Sequence, residues 1–311
     1  MAERGGRPAL AAVDWGTSSF RLWLVDEAGT VLAARRSDEG LARGAAEGFA
    51  TILERHLGAL AAPAGLPALV CGMAGSRQGW REAPYVDTPA RLADLAAFAV
   101  AAPDALRPVW LMPGIAQRDP ARPDVMRGEE TQLLGAFGAR ANGVACLPGT
   151  HAKWARMAAG RVVAFATHMT GELYGAIGRS TILSHALEAG TGEPGPAFEA
   201  AVGDALADPG GLTAALFGIR AGQLLGQAAR TDGAARLSGL LIGTEIAHAR
   251  AGLAPGETVT LIAAGALGAL YRRALAVAGL AVRPVDAETA VRDGLLRAWT
   301  AHGRTAEDTR P

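Results

Sequence analysis

Two turns, each with a glycine followed by a threonine, carry the polar groups best suited to chemistry in this sequence. The first is Gly16-Thr17-Ser18, directly after an apolar segment that ends near Asp14, and the second is Gly149-Thr150-His151. Glycine lets backbone N–H groups approach an oxyanion, and the hydroxyl groups add further donors. Asp14 is placed to hold Mg²⁺, which takes one or two carboxylates together with phosphate oxygens and water. The pattern indicates a site for a polyphosphate and its metal ion.

The segments around the two turns repeat the same order of elements. Each turn joins two strand-like segments, and a second glycine turn, at Gly29 in one copy and Gly160 in the other, leads to a third. The copies are about 133 residues apart, counted from Gly16 to Gly149, and a helical pattern follows each. A repeat of this size predicts two domains of similar topology. We place them at 1–138, joined by a C-terminal helix over 287–302, and at 139–286.

The apolar pattern predicts the elements that position these turns. Alternation with a period of two predicts strands, and a period near 3.6 predicts helices. The predicted strands are 9–14, 20–25, 30–36, 68–73, 109–112, 143–147, 153–157, 161–166 and 258–263. The predicted helices are 47–61, 128–140, 171–185, 196–206, 212–227 and 234–251, followed by one that ends at 278. The stretch 196–236 contains no recognisable motif.

Composition excludes several classes of protein. Thirty basic and thirty acidic side chains give no net charge, whereas a nucleic-acid-binding protein needs a surplus of cations. The apolar runs are too short to span a bilayer, no signal-peptide pattern opens the chain, and no P-loop motif occurs. Cys71 and Cys146 lie in apolar segments, which suits a reducing cytosol. We expect a cytoplasmic protein with neither nucleic acid nor membrane as partner, and a homodimer is compatible with the sequence.

Lys153 is the single lysine in the chain, beside 29 arginines. A guanidinium is larger and flatter than an ammonium group, so a lysine that has not been replaced by arginine indicates a constrained position. Lys153 follows the second turn by three residues, from where its charge would reach toward a phosphate or an anionic substrate. Chance survival is the alternative interpretation.

The motifs resemble those of a known superfamily. Asp14-Trp15-Gly16-Thr17-Ser18, Pro148-Gly149-Thr150-His151 and Ala263-Ala264-Gly265-Ala266-Leu267 are similar to the first phosphate, second phosphate and adenosine motifs of the actin, heat-shock-chaperone and sugar-kinase (ASKHA) superfamily. More narrowly, the chain resembles the 2-dehydro-3-deoxygalactonokinases (2-keto-3-deoxygalactonate kinases). The segments that carry this narrower resemblance are 72–76, 79–80, 83–85, 113–114, 125–132, 148–154, 169–173 and 238–243.

The resemblance implies a fold and an activity. The fold would be α/β, with two RNase H-like (actin-like ATPase) domains and an interdomain cleft, the sugar acid on the N-terminal domain and the nucleotide on the C-terminal one. The activity would be Mg²⁺- and ATP-dependent phosphorylation of the terminal 6-hydroxyl of 2-dehydro-3-deoxy-D-galactonate, in galactonate catabolism. Another small-sugar kinase of the superfamily and a non-catalytic sugar-acid sensor are the alternatives.

The resemblance also implies which residues hold the nucleotide and the metal ion. Asp14 would hold Mg²⁺, and Lys153 would act as a catalytic charge. The residues expected to contact ATP are Gly16, Thr17, Ser18, Gly149, Thr150, His151, Gly265 and Ala266. The second turn has Pro148 where a second metal-orienting aspartate would stand, and Ala264-Gly265 replaces two glycines, which narrows the room for the nucleotide.

For the general base, related sugar kinases place an acidic residue at the start of the helix before the second phosphate turn. Glu129 is the first choice there and Glu130 the second, since a helix N-terminus stabilises an ionised carboxylate. Glu172 is a third candidate and a candidate substrate contact. Arg77 and Arg127 are candidates for binding the substrate carboxylate, because arginine grips carboxylates through two hydrogen bonds. Trp80 would add an apolar wall.

Overall fold

The computed structural model describes residues 6–140, 142–187 and 194–308. Their contacts divide them into two units. Unit 1 takes the described residues of 1–142, 157–164 and 287–311, and unit 2 takes those of 143–156 and 165–286. The domain limits expected from the sequence were 138/139 and 286/287. They placed residues 157–164 in the second domain, whereas the contacts assign these residues to unit 1.

The elements are as follows. The strands are β1 (Leu10–Trp15), β2 (Phe20–Val25), β3 (Val31–Ser37), β4 (Ala68–Gly72), β5 (Tyr85–Asp87), β6 (Ala90–Arg91), β7 (Val100–Ala101), β8 (Val109–Leu111), β9 (Gly114–Gln117), β10 (Asp124–Met126), β11 (Gly143–Leu147), β12 (Ala152–Ala158), β13 (Arg161–His168), β14 (Val259–Ala263) and β15 (Val282–Asp286). The helices are α1 (Leu41–Glu47), α2 (Phe49–Ala59), α3 (Glu129–Phe137), α4 (Thr170–Ser180), α5 (Pro196–Ala207), α6 (Leu212–Leu224), α7 (Gly233–Arg250), α8 (Gly265–Val277) and α9 (Ala287–Asp308).

The main sheet of unit 1 has the strand order β3-β2-β1-β4-β8-β7. β1 pairs antiparallel with β2 and parallel with β4, and β4 pairs parallel with β8. Every residue of β1 and β4 is buried, as expected of apolar strands covered on both faces. The apolar side of α2, with Phe49, Ile52 and Leu57, packs into this core.

The sheet of unit 2 repeats this arrangement. Its order is β15-β14-β11-β12-β13, with β11 parallel to β14 and β14 parallel to β15. In both sheets, three strands that follow one another along the chain occupy one side, and later strands are added on the other side, in parallel except for β7, which is antiparallel to β8. The duplicated topology confirms the repeat inferred from the two turns and the α/β, RNase H-like fold class.

Two predicted helices were wrong in their extent. The helix expected over 47–61 is divided at Gly48, whose φ of 92° breaks the helical path between α1 and α2. The helix expected over 171–185 ends at Ser180, because Thr181 is extended. The small sheet β10-β9-β5 was missed, since its strands of three or four residues are too short to show a period. No helix of the described residues is long and apolar enough to cross a membrane.

Candidate active site

Asp14 lies near the end of β1, where the strand runs into the first turn. The adjacent strand β4 ends at Gly72, and a Cβ atom there would lie 2.5 Å from the Trp15 carbonyl oxygen and 3.5 Å from Asp14 Oδ1. A Cβ atom on Gly128, just before α3, would lie 3.4 Å from the Cα of Gly72. The glycines thus bring the ends of two strands and the start of a helix against one carboxylate.

Asp14 is 8% exposed and has two polar neighbours on the sheet. Arg21 Nε lies 3.4 Å from Asp14 Oδ2, and the Cys71 thiol donates to Oδ1 at 3.8 Å. Burial raises the pKa of the Asp14 carboxyl, the Arg21 guanidinium opposes that shift, and the negative charge of Glu129 adds to it. Arg21 was missed in the sequence, although its position on β2, paired in register with Asp14, could have indicated it.

The residues of the first turn present their polar groups to solvent. Thr17 and Ser18 are exposed, and the backbone of the turn is closed by a 2.8 Å hydrogen bond from Gly16 N–H to the Ser19 carbonyl. Leu41 N–H, at the start of α1, donates to the carbonyls of Gly16 and Thr17. The turn is therefore held from behind, and its hydroxyl groups remain accessible.

Glu129 and Glu130, the first two residues of α3, have different surroundings. Glu129 is half-buried, and its Oε2 accepts a 3.0 Å hydrogen bond from Arg127 N–H. Glu130 is fully buried, and its carboxyl accepts from Gly128 N–H at 2.7 and 2.9 Å and from the Thr131 hydroxyl at 3.2 Å. Burial, with the charge of Glu129 adding to it, raises the pKa of Glu130 to about 8.

The two candidate arginines also differ. The side chain of Arg77 is 81% exposed, with its Nε 3.6 Å from Glu82 Oε1. The guanidinium of Arg127 lies 4.3 Å from the centre of the Tyr85 ring and donates to the Ala83 carbonyl at 2.8 Å. Arg127 therefore ties the start of α3 to the Ala83–Tyr85 segment, while Arg77 presents its charge to solvent.

Trp80 has the contacts of a packing residue. Its indole N–H donates to the Pro103 carbonyl at 2.9 Å, and its ring stacks on Phe49 with centroids 6.0 Å apart. Trp15 contacts the same rings from inside the core. These contacts account for Trp80 without a substrate.

In unit 2, the second turn is backed by the start of α4. Glu172 N–H donates to the Thr150 carbonyl at 3.0 Å, and a Cβ atom on Gly171 would lie 2.5 Å from the Gly149 carbonyl oxygen. His151 Nε2 lies 2.5 Å from Glu172 Oε2, with both side chains about half exposed. Lys153 is 4% exposed and donates from Nζ to the His151 carbonyl at 3.1 Å.

A cavity of about 880 Å³ opens beside this turn within unit 2. Gly149, Thr150 and Ala266, which were expected to contact ATP, line it together with apolar residues such as Leu241 and Ile242. His151 and Gly265 are not among its lining residues. The volume is in the range of cavities that bind small organic ligands.

Four helices begin at this cavity, and residues of their first turns line it. The lining residues at these starts are Thr170 and Gly171 of α4, Pro196 and Ala197 of α5, Ala234 and Ala235 of α7, and Ala266 and Leu267 of α8. Helix N-termini offer unpaired N–H groups and the positive end of the helix dipole, which favours anions. The cavity therefore combines helix starts suited to phosphate with apolar lining residues suited to a nucleobase.

The starts of α5 and α7 belong to the stretch 196–236, which showed no motif in the sequence. Helices were predicted to begin at 196 and 234, but the backbone N–H groups at a helix start, which every residue except proline has, carry no side-chain signature. The sequence therefore could not indicate that these starts meet at a cavity. Thr170, Asp232, Ser238 and Tyr271 are further polar lining residues to which the sequence analysis gave no role, although Thr170 and Ser238 lie in segments that carry the family resemblance.

No group of three or more His, Cys, Asp or Glu side chains that could hold a metal ion is found among the described residues. The duplicated RNase H-like sheets define the actin-like class of α/β fold, which here carries an aspartate near the end of β1 and a cavity beside the second turn.

Comparisons with known proteins identify the family. A family model described as 2-keto-3-deoxy-galactonokinase matches residues 14–298, so the chain belongs to that family. A probable 2-dehydro-3-deoxygalactonokinase of Rhizobium meliloti (strain 1021) is 56% identical over 296 residues, covering 94% of this chain and 96% of the relative. The 2-dehydro-3-deoxygalactonokinase of Escherichia coli (strain K12) is 33% identical over 289 residues, covering 91% and 95%.

A crystal structure from Sinorhizobium meliloti, described as that of a 2-dehydro-3-deoxygalactonokinase, matches this chain with a TM-score of 0.90 and 54% sequence identity. The match covers 94% of this chain and 98% of the Sinorhizobium chain. The family and the superfamily expected from the sequence are therefore confirmed, and so is the assignment to a kinase. The roles of individual residues stay predictions.

Proposed function

We propose that this kinase transfers the γ-phosphoryl group of ATP to the terminal 6-hydroxyl of 2-dehydro-3-deoxy-D-galactonate, giving the 6-phosphate and ADP. The substrate is supported by the family and by the names of the relatives. The proposal that the protein binds ATP is supported by the cavity of unit 2, where four helices begin beside the Gly149-Thr150 turn. We also propose the cytosol as its location, where Cys71 and Cys146, both free thiols, would stay reduced.

For the nucleotide, the N–H groups and hydroxyls at Gly149, Thr150 and Thr170 would contact the phosphates. The apolar lining residues of the cavity would contact the nucleobase. Gly265 and Ala266 start α8 at the same cavity, where the adenosine motif was expected. A positive φ of 59° at Gly265 turns the chain into that helix, a conformation that a side chain would disfavour.

For the metal ion, the Asp14 carboxylate fits Mg²⁺ in its chemistry. It is a hard oxygen donor at a buried strand end, next to the exposed hydroxyls of Thr17 and Ser18. One carboxylate is enough, because Mg²⁺ completes its shell with phosphate oxygens and water. When bound, Mg²⁺ would neutralise charge on the transferring phosphate. Arg21, which pairs with Asp14, would keep the carboxylate ionised and oriented.

For the general base of the phosphoryl transfer, we propose Glu129. Glu129 is half-buried at the start of α3, and a carboxylate at this position would accept the proton as a general base. Glu130 has no exposed surface, and its oxygens accept from Gly128 and Thr131. Glu130 would therefore hold the start of the helix, and Glu129 would take the hydroxyl proton as the phosphoryl group is transferred.

For the substrate carboxylate, we propose Arg77 because its guanidinium is accessible. Arg127 would act indirectly, by holding α3 against Ala83 and Tyr85. Lys153 would support the second turn through the His151 carbonyl, and its charge would favour the anionic ligands.

The test is turnover of 2-dehydro-3-deoxy-D-galactonate with ATP, measured by coupling ADP release to a second enzyme. We expect Asp14→Asn to lower kcat by at least about a hundredfold, the scale of losing one electrostatic contact to the transition state, with an unchanged circular dichroism spectrum. Asp87→Asn is the control, since Asp87 forms an exposed ion pair with Arg118.

Absence of turnover in the wild-type protein with any sugar acid would contradict the kinase proposal. Turnover by Asp14→Asn at the wild-type rate would remove Asp14 from the metal site and leave the kinase assignment in place.

A further inference from the structure

Glu245, on α7, is a buried carboxylate that the proposed mechanism does not use. It is 2% exposed, and three side chains donate hydrogen bonds to it. Trp154 Nε1 donates to Oε1 at 2.8 Å, Tyr271 OH donates to Oε2 at 2.6 Å, and Thr170 Oγ1 donates to Oε2. A buried charge is costly unless such donors satisfy it, so the arrangement is built around this residue.

The three donors come from three different elements around the cavity. Trp154 lies on β12, the strand that leaves the Gly149-Thr150 turn, Thr170 begins α4, and Tyr271 lies on α8. Thr170 and Tyr271 line the cavity, whereas Glu245 itself does not. Glu245, which does not itself line the cavity, is therefore hydrogen-bonded to β12, to the start of α4 and to α8.

The protonation states support this description. Burial raises the pKa of Glu245, and the hydrogen bonds from Thr170, Tyr271 and Trp154 oppose that shift. Burial and the charge of Glu245 raise the pKa of Tyr271 well above its ordinary value. The phenol therefore keeps its proton, as a donor to the carboxylate must.

We propose that Glu245 is a positioning residue for the nucleotide: it acts through Thr170 and Tyr271 and sets the affinity of the cavity for ATP. This inference rests on the proposed function, which places ATP in that cavity. It concerns nucleotide affinity and leaves sugar-acid affinity unaffected, because the sugar acid is assigned to residues of unit 1.

The decisive variant is Glu245→Gln. The amide keeps the shape of the side chain, but it has one acceptor oxygen and presents an N–H₂ group toward hydroxyls that now donate. We expect the dissociation constant of a non-hydrolysable ATP analogue, measured by calorimetry, to rise about tenfold, which corresponds to about 1.4 kcal/mol. The KM for ATP should rise in parallel, and the KM for the sugar acid should stay within about twofold of wild type.

Two further variants distinguish positioning from general destabilisation. Glu257→Gln removes the partner of Arg156 in the same unit, outside the cavity lining, and should leave the affinity for the analogue unchanged. Tyr271→Phe leaves Glu245 in place, removes one donor and tests the same connection if Glu245→Gln does not fold. The double variant Glu245→Gln/Tyr271→Phe should weaken binding by less than the sum of the two single effects.

The outcomes separate this inference from the function on which it rests. If the wild-type protein binds the analogue and turns over, but Glu245→Gln and Tyr271→Phe bind as tightly as wild type, the positioning role is wrong. An equal rise in both KM values, or the same loss of affinity in Glu257→Gln, would also overturn it. If the wild-type protein does not bind the analogue at all, the nucleotide assignment of the cavity itself fails.

Discussion

At the scale of single residues, two adjacent glutamates show how burial separates chemical roles. Glu129 and Glu130 share a helix start and a side-chain type, yet Glu130 is fully buried and Glu129 is half-buried. Desolvation disfavours the ionised form of the fully buried carboxyl of Glu130, so the half-buried Glu129 is the one proposed to contact the substrate. The same reasoning applies to the arginines, where Arg127 is occupied by Ala83 and Tyr85 while Arg77 is accessible.

This burial predicts a pH dependence of stability. The pKa of Glu130 is about 8 in the folded protein against an ordinary 4.5, so between these values the folded state keeps a proton that the unfolded chain has lost. The free energy of unfolding therefore falls as pH rises through this window. The Glu130→Gln variant should lack this pH dependence. As pH rises through the window, its free energy of unfolding should therefore increase relative to that of the wild type by up to about 1.4 kcal/mol per pH unit. Urea unfolding across the window measures it, and parallel curves would contradict the prediction.

At the scale of elements, α4 and the second turn are in backbone contact. Gly171, the second residue of α4, has room for a hydrogen where a Cβ atom would lie 2.5 Å from the Gly149 carbonyl oxygen. Because the obstructing atom belongs to the backbone, an added methyl group must displace either the helix start or the turn. The contact thus couples the position of the helix N-terminus to that of the proposed phosphate-binding turn.

Gly171→Ala should raise the KM for ATP by about tenfold or more, since displacements near 1 Å at a binding site have effects of this size. Gly218→Ala is the matched control, because Gly218 lies in the middle of α6 with open space around its Cα. That variant should be more stable by about 0.5–1 kcal/mol with unchanged kinetics. Steady-state kinetics and thermal unfolding measure both effects, and equal KM values in the two variants would show that the contact does not position the turn.

At the scale of the whole molecule, the last described helix returns to the first unit. α9 packs against α3 so closely that a Cβ atom on Gly294 would overlap the Thr131 carbonyl, and one on Gly135 would overlap the Ala290 carbonyl. Trp23 on β2 also donates to Glu288 at the start of α9 at 3.3 Å. The helix that carries Glu129 is therefore held by residues more than 150 positions away in the sequence.

Gly294→Ala should lower the free energy of unfolding by about 1–3 kcal/mol or more, as overpacking of a close contact does. It should also lower kcat, since α3 must move with Glu129 at its start. Gly303→Ala in the same helix meets no atom within 4 Å; it should leave kcat unchanged and raise the free energy of unfolding by about 0.5–1 kcal/mol. Denaturant unfolding and turnover assays check both quantities, and wild-type stability in Gly294→Ala would show that the helices separate without cost.

Much of the fold was readable from the sequence because it depends on short-range patterns. The two Gly-Thr turns, the strands around them and the apolar faces of the helices are set by residues a few positions apart, so the duplicated sheets could be inferred. Gly48 shows the limit, because its positive φ of 92° begins α2 at Phe49, two residues after the predicted start, and separates it from α1. The sheet β10-β9-β5 shows another, because its strands are too short to show a period and the β5–β9 pairing joins segments that are distant along the chain.

The sequence by itself determined the family, the kinase class and the turns at which the chemistry is proposed, since these depend on residue identity in local motifs. Tertiary structure alone decided that Glu130 is buried and that Glu245 connects three elements at the cavity. Tertiary structure also brought the starts of α4, α5, α7 and α8 together around one cavity. The physical reason is that desolvation, hydrogen-bond partners and converging helix ends arise from packing between distant segments, which no local pattern records.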